Sequence, residues 1–187
     1  MTSKLKTDVL ETVSGSGTIA LTNQLSGMTS ASVPSGSVLQ VVSVTKSDTW
    51  TTSSQSFVDI AGLSVGITPH STSSKILVAV HFQGDSQGHA SLKIVRDSTD
   101  IAIGDAQGNA TRATFHTHAG TNDWNTEAMS ISHLDAPSTT STVTYKLQGA
   151  VPYSASYVLY VNRTSNLDTN TYNGMVVSSI TLTEIKG

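Results

Sequence analysis

Apolar residues are densest between Ile76 and Phe82, where the chain reads ILVAVHF. Successive side chains of a strand point to opposite faces. Ile76, Val78, Val80 and Phe82 then share one face, and Leu77, Ala79 and His81 share the other. One face is wholly apolar and the second nearly so, which predicts a central strand covered on both sides. Upstream, Phe57–Ile60 and Leu63–Ile67 alternate as half-buried strands do. The polar cluster Pro69–Ser74 predicts a turn before the apolar run.

The same plan continues in both directions. Val38–Thr45 opens it, and Trp50–Thr52 is expected as a short strand facing Phe57. Phe82–His89, which holds Gly84 and Gly88, is predicted as a hairpin loop. Ala90–Val95 and Ile101–Ile103 follow, split at Arg96–Thr99. Arg112–His118, Ala128–Leu134, Val143–Gln148, Ser156–Asn162 and Met175–Ile185 complete the pattern. About ten strands with frequent turns, and no convincing helix after residue 36, predict an all-β fold. The expected architecture is a jelly-roll-like antiparallel β-sandwich.

The first 36 residues break that pattern. Leu5, Val9, Leu10 and Val13 have partly helical spacing, but Ser14-Gly15-Ser16-Gly17 ends any helix there. So short a helix is not stable alone. Residues 1–36 are therefore expected to form an extended N-terminal arm, anchored through those four apolar residues on a partner surface. The alternative is a plain tail. Residues 37–187 form the expected sandwich domain.

Composition narrows the function classes. Only 12 % of the 187 residues are charged, and about three in ten are Ser or Thr. That is about half the usual share of charge, so hydroxyls rather than ions keep the surface wet. Net charge is -3, and the ten basic residues form no stripe. Binding of nucleic acid through its phosphates is not expected. Cysteine is absent, which excludes disulfides and thiolate metal sites. No apolar run approaches the ~20 residues that span a bilayer, so no membrane insertion is expected. Thr7-Asp8 follows Lys4-Leu5-Lys6 where an apolar segment would continue a signal peptide, and none is expected.

Few side chains suggest chemistry. His116-Thr117-His118 puts two imidazoles on one face of a strand, a geometry that can ligate a metal, with His81, His89 or His133 as a third ligand. The favoured alternative is that they are polar strand residues facing solvent or a subunit interface. Trp124, beside Asn122 and Asp123, is a candidate saccharide-stacking residue in a polar loop. A Trp that folds back onto the sandwich is the alternative. Asp97, Asp100, Asp105, Asp123 and Glu127 lie in or near loops, but nothing in their spacing sets the separation a glycosidase needs. No nucleophile elbow or phosphate-binding loop is present. The sequons at Asn109 and Asn162 carry no functional weight. No enzymatic activity and no cofactor are expected.

Several stretches taken in order resemble a known module. They are Gly36-Ser37-Val38-Leu39-Gln40-Val41-Val42, Phe57-Val58-Asp59-Ile60-Ala61-Gly62-Leu63-Ser64-Val65 and Ser73-Ser74-Lys75-Ile76-Leu77-Val78. Gly104-Asp105 with Thr111-Arg112-Ala113-Thr114-Phe115, then Leu134-Asp135-Ala136-Pro137, and finally Ser179-Ile180-Thr181-Leu182 extend the match over most of the chain. Together they resemble the tail-fibre-like virion structural module of tailed phages, marine ones especially. The resemblance implies a homotrimer in the virion, contacting other capsid or tail proteins and host surface glycan. Its implied role is attachment. The arm is short beside a fibre shaft, which raises capsid decoration (a cement protein) as the alternative. A glycan-degrading enzyme is a lower alternative.

Overall fold

The computed structural model describes residues 30–119, 125–168 and 171–187. The chain divides into two compact units, Met1–Val33 and Pro34–Gly187. The described part of the first includes a single 3-10 turn, Ser30–Ser32. Leu5, Val9, Leu10 and Val13 lie outside the described residues.

The second unit is all-β and antiparallel throughout. Its strands are β1 (Val38–Lys46), β2 (Trp50–Thr52), β3 (Val58–Ile67), β4 (Lys75–Arg96) and β5 (Thr99–Ile101), followed by β6 (Phe115–Ala119), β7 (Glu127–Asp135), β8 (Val143–Ala150), β9 (Val158–Val161) and β10 (Ser178–Ile185). Pro34–Ser37 is tied to this unit at its far end. Gly36 N–H donates to Lys186 O at 2.7 Å, and Lys186 N–H donates to Ser37 O at 2.9 Å.

The organising element is β4, 22 residues long. Its first half lies between β10 and β7, with Val80 opposite both Ile180 and Ile131. Its second half lies between β8 on one side and β6 and β5 on the other. β3 extends that second layer beyond β8, and β1 extends the first beyond β10. Between the halves, Gly84–Gln87 pairs with β9, which in turn carries β2. The result is a sandwich-like fold in which one strand runs through both layers.

The predicted hairpin at Phe82–His89 does not form. The chain runs through it as strand, and the two glycines serve a different need. A Cβ on Gly84 would collide with the Tyr160 carbonyl oxygen and the Phe82 ring. Gly88, at φ +84°, lies under the Tyr157 ring. They are places of close approach where the strand changes layer. Further expectations change. The strand expected at Ile101–Ile103 lies at Thr99–Ile101, and the one expected at Arg112–His118 starts only at Phe115. The strands expected at Phe57–Ile60 and Leu63–Ile67 merge, from Val58, into one, β3, whose register shifts at a bulge containing Gly62 (φ +87°). Trp50–Thr52 is a strand, but its partner is β9 and not the Phe57 region.

Ile76, Val78, Val80 and Phe82 face inward, and so do Ala90, Leu92 and Ile94 beyond the crossing. They meet Ile60, Leu63 and Ile67 of β3, Tyr145 and Leu147 of β8, Leu159 and Val161 of β9, and Ile180 and Leu182 of β10. Burial of each larger side chain contributes roughly 1.5–3 kcal/mol. The opposite side of β4 is not covered as the pattern predicted. Leu77, Ala79 and His81 are half-exposed in this chain.

Two buried carboxylates are held by side-chain partners. Glu184 is fully buried. It accepts from Gln40 Nε2 at 2.6 Å and from the His70 backbone N–H at 2.7 Å, and it meets His70 Nδ1 at 2.8 Å. Burial alone would raise its pKa, but the hydrogen bonds from His70 and Gln40 outweigh it and hold the carboxyl at about 2. Asp135 receives both its oxygens' bonds from Arg96, at 2.9 and 2.8 Å, and one from the Tyr145 hydroxyl at 2.7 Å. Burial, then the Asp135 carboxylate, pushes the Tyr145 hydroxyl far above its ordinary pKa.

Substituting Gly84→Ala should cost about 1–3 kcal/mol, because the methyl group enters a filled crossing. Gly104→Ala, where the added methyl meets open space, should stay within ~0.5 kcal/mol. Urea unfolding of the two variants checks this pair. Equal stability of both would remove the crossing as a packing constraint.

Candidate functional site

Among the described residues of the second unit, two surface regions are candidate sites for a partner or ligand. The first is the outer face of the layer β7–β4–β10–β1. The pairing registers align it in three rows: Leu134–Leu77–Thr183–Val41, then Ser132–Ala79–Thr181–Ser43, then Ser130–His81–Ser179–Thr45. All twelve positions are exposed or half-exposed, and none is an acid, a lysine or an arginine. A shallow depression of about 300 Å³ lies over its centre, where Ala79 leaves room between Ser132 and Thr181. His81 is fixed beside it. Gln83 Nε2 can only donate, so His81 Nε2 accepts at 3.0 Å, and Nδ1–H faces Ser130 Oγ at 2.9 Å.

The second region is an aromatic cluster on the other layer. The β4–β6 register sets His89 opposite His118 and Ser91 opposite His116. Alternation then puts all four side chains on one face. The His89 ring lies 4.3 Å from that of His118 and 5.6 Å from that of His116, centre to centre. Tyr153 and Tyr157 approach from the segment after β8, at 5.8 and 6.4 Å from His89, and stack on each other at 5.9 Å. A cavity of about 320 Å³ opens here, lined by His89, Asn109, Thr111, His116, Pro152 and Tyr153.

The His-x-His pair thus sits on one strand face as its spacing predicts, and His89 joins it across the strand. Their rings pack against one another, and His116 Nδ1 meets Ser91 Oγ at 3.0 Å. Among the described residues, no group of three His, Asp or Glu is arranged to hold a metal ion. His81 stands eight residues back along β4, about 26 Å at the usual strand rise. His133 faces inward on β7, opposite to Ser132 and Leu134. Neither joins the cluster. Asn122, Asp123 and Trp124 lie outside the described residues. Asn162 is fully buried, its amide donating to Lys46 O and Asp48 O and accepting from Ser178 Oγ. It is a structural clamp with no room for a glycan.

Sequence reasoning missed Tyr153 and Tyr157. Their contact with His89 depends on the path of the segment after β8, which no local pattern encodes. Loss of solvent around the His89 ring lowers its pKa, and the neighbouring His118 and His116 lower it further. No family model and no curated protein matches the chain.

His89 should therefore titrate below the ordinary 6.5 of a histidine. In His118→Ala the stronger of its two neighbouring charges is gone, and the His89 midpoint should rise. Imidazole chemical shifts followed by NMR between pH 4 and 8 check this. An unchanged His89 midpoint in that variant would contradict the coupling.

Proposed function

We propose that the chain is a non-enzymatic virion structural protein of a tailed phage, assembled as a homotrimer of jelly-roll-like domains and displayed on the particle exterior for attachment. The observation that carries this reading is the twelve-position outer face of β7, β4, β10 and β1. A sheet face of hydroxyls, aliphatic side chains and His81, with no acid, lysine or arginine, loses little on being covered, because no carboxylate, ammonium or guanidinium must be stripped of water. Its exposed Leu134 and Val41, at 55 % and 56 %, gain from burial. The ordered run of motifs that resemble the phage module supports the same class.

Neither cavity is lined by a carboxylate, which favours binding over hydrolysis of glycan. The aromatic cluster on the second layer favours attachment over capsid decoration, since a coat needs no such exposed site. Residues 1–36 take the role of an anchoring arm on other virion proteins.

The test is to count the chain in purified particles of a phage that encodes it, by isotope-dilution mass spectrometry. Its presence at the low copy number of a tail organ is expected. Absence from the particle would overturn the reading, and a copy number matching the capsid would move the protein from attachment to decoration.

A further inference from the structure

The geometry points to a binding site for a neutral saccharide in the cavity between Tyr153, His89, His116, Asn109 and Thr111. This deepens the attachment reading by giving it a ligand class and a place.

The lining combines what a sugar needs. Tyr153 is 74 % exposed, so a broad apolar ring face is offered to solvent. It is backed by Tyr157, stacked at an interplanar angle of 19°. A pyranose presents C–H groups on one face, which pack on such a ring, and hydroxyls around its rim. Asn109 supplies an amide donor and acceptor, Thr111 a hydroxyl, and His89 and His116 imidazole nitrogens. The lining has no acid, lysine or arginine, so nothing in it selects a charged ligand. The cavity, about 320 Å³, stands at the small end of ligand pockets.

The walls are held in place without a ligand. The loop bearing Asn109 and Thr111 is closed at its base by Gly104 N–H to Ala113 O at 3.2 Å and by Arg112 Nε to Gly104 O at 2.7 Å. Beyond it, Thr114 N–H donates to Leu92 O at 2.8 Å. The Pro152 wall is fixed by Val151 N–H to Ser54 O at 2.8 Å and by a Tyr157 N–H to Ser154 O turn at 3.0 Å. His116 is oriented by Ser91, itself fully buried. Walls fixed in advance reduce the ordering cost of binding.

The test titrates the purified full chain with maltotriose, mannotriose, galactotriose and chitotriose, following tyrosine-ring and imidazole NMR signals. At least one sugar should shift the Tyr153, His89 and His116 signals together, with a Kd of about 1 mM or tighter. Tyr153→Ala should weaken that binding about tenfold or more, while Tyr153→Phe, which keeps the ring, should retain it. Tyr153 is exposed, so unchanged circular dichroism and unfolding midpoint will show that the fold survives. No shift of these signals by any of the four sugars overturns the site, as does equal binding by Tyr153→Ala. Because particles are not used, that failure would leave membership in the virion standing.

Discussion

The fold depends on one strand passing without a break from one layer of the sandwich to the other. β4 supplies the central inward row of both layers, Ile76 to Phe82 and then Ala90 to Ile94. Its neighbours change at the crossing, from β10 and β7 to β8 and β6. The crossing brings the backbone of Gly84 against Tyr160 and that of Gly88 against Tyr157. Only a residue without a side chain admits so close an approach. With both layers built on the same strand, their inward faces keep a common register, and the core closes around it.

The same constraint fixes where polar groups can go. Two buried carboxylates are satisfied by side chains, Glu184 by His70 and Gln40 and Asp135 by Arg96 and Tyr145, while Asp85 accepts from the Ser86 and Ser165 backbone N–H groups. Removing one partner from such a group would leave a buried charge uncompensated, which costs far more than the pair contributes. The outer face of the first layer has the opposite character. Leu77, Ala79 and His81 stand on the reverse of the strongest core residues, and their row neighbours are hydroxyls and a few aliphatic side chains. The crossing then carries His89 to the outside of the second layer, where β6 adds His116 and His118.

Strand content was largely legible, because period-two alternation records burial on one side. β1, β7 and β8 begin and end close to their patterns, and β10 ends with its own but begins at Ser178 rather than Met175. The Phe82–His89 segment was not legible. Glycine between polar residues signals a turn when only neighbours along the chain are considered, and here its cause is a contact with β9, more than seventy residues away in Tyr160. Covering of Leu77, Ala79 and His81 was overestimated for a related reason. Apolar character shows that burial would be favourable, not which chain provides it. The His116/His118 pair was legible from spacing alone, whereas the aromatic cluster required the β4–β6 register and the return of the chain at Tyr153.

The proposed self-association through the outer face of β7, β4, β10 and β1 would supply the covering that the apolar pattern of β4 predicts and a single chain does not provide. Native mass spectrometry of the full chain, alongside Ala79→Arg, tests it most directly. A species at three times the 19.5 kDa chain mass is predicted, falling to the single-chain mass when the arginine is placed at the centre of the face. A wild-type chain that remains at 19.5 kDa, or a trimer indifferent to Ala79→Arg, would contradict it.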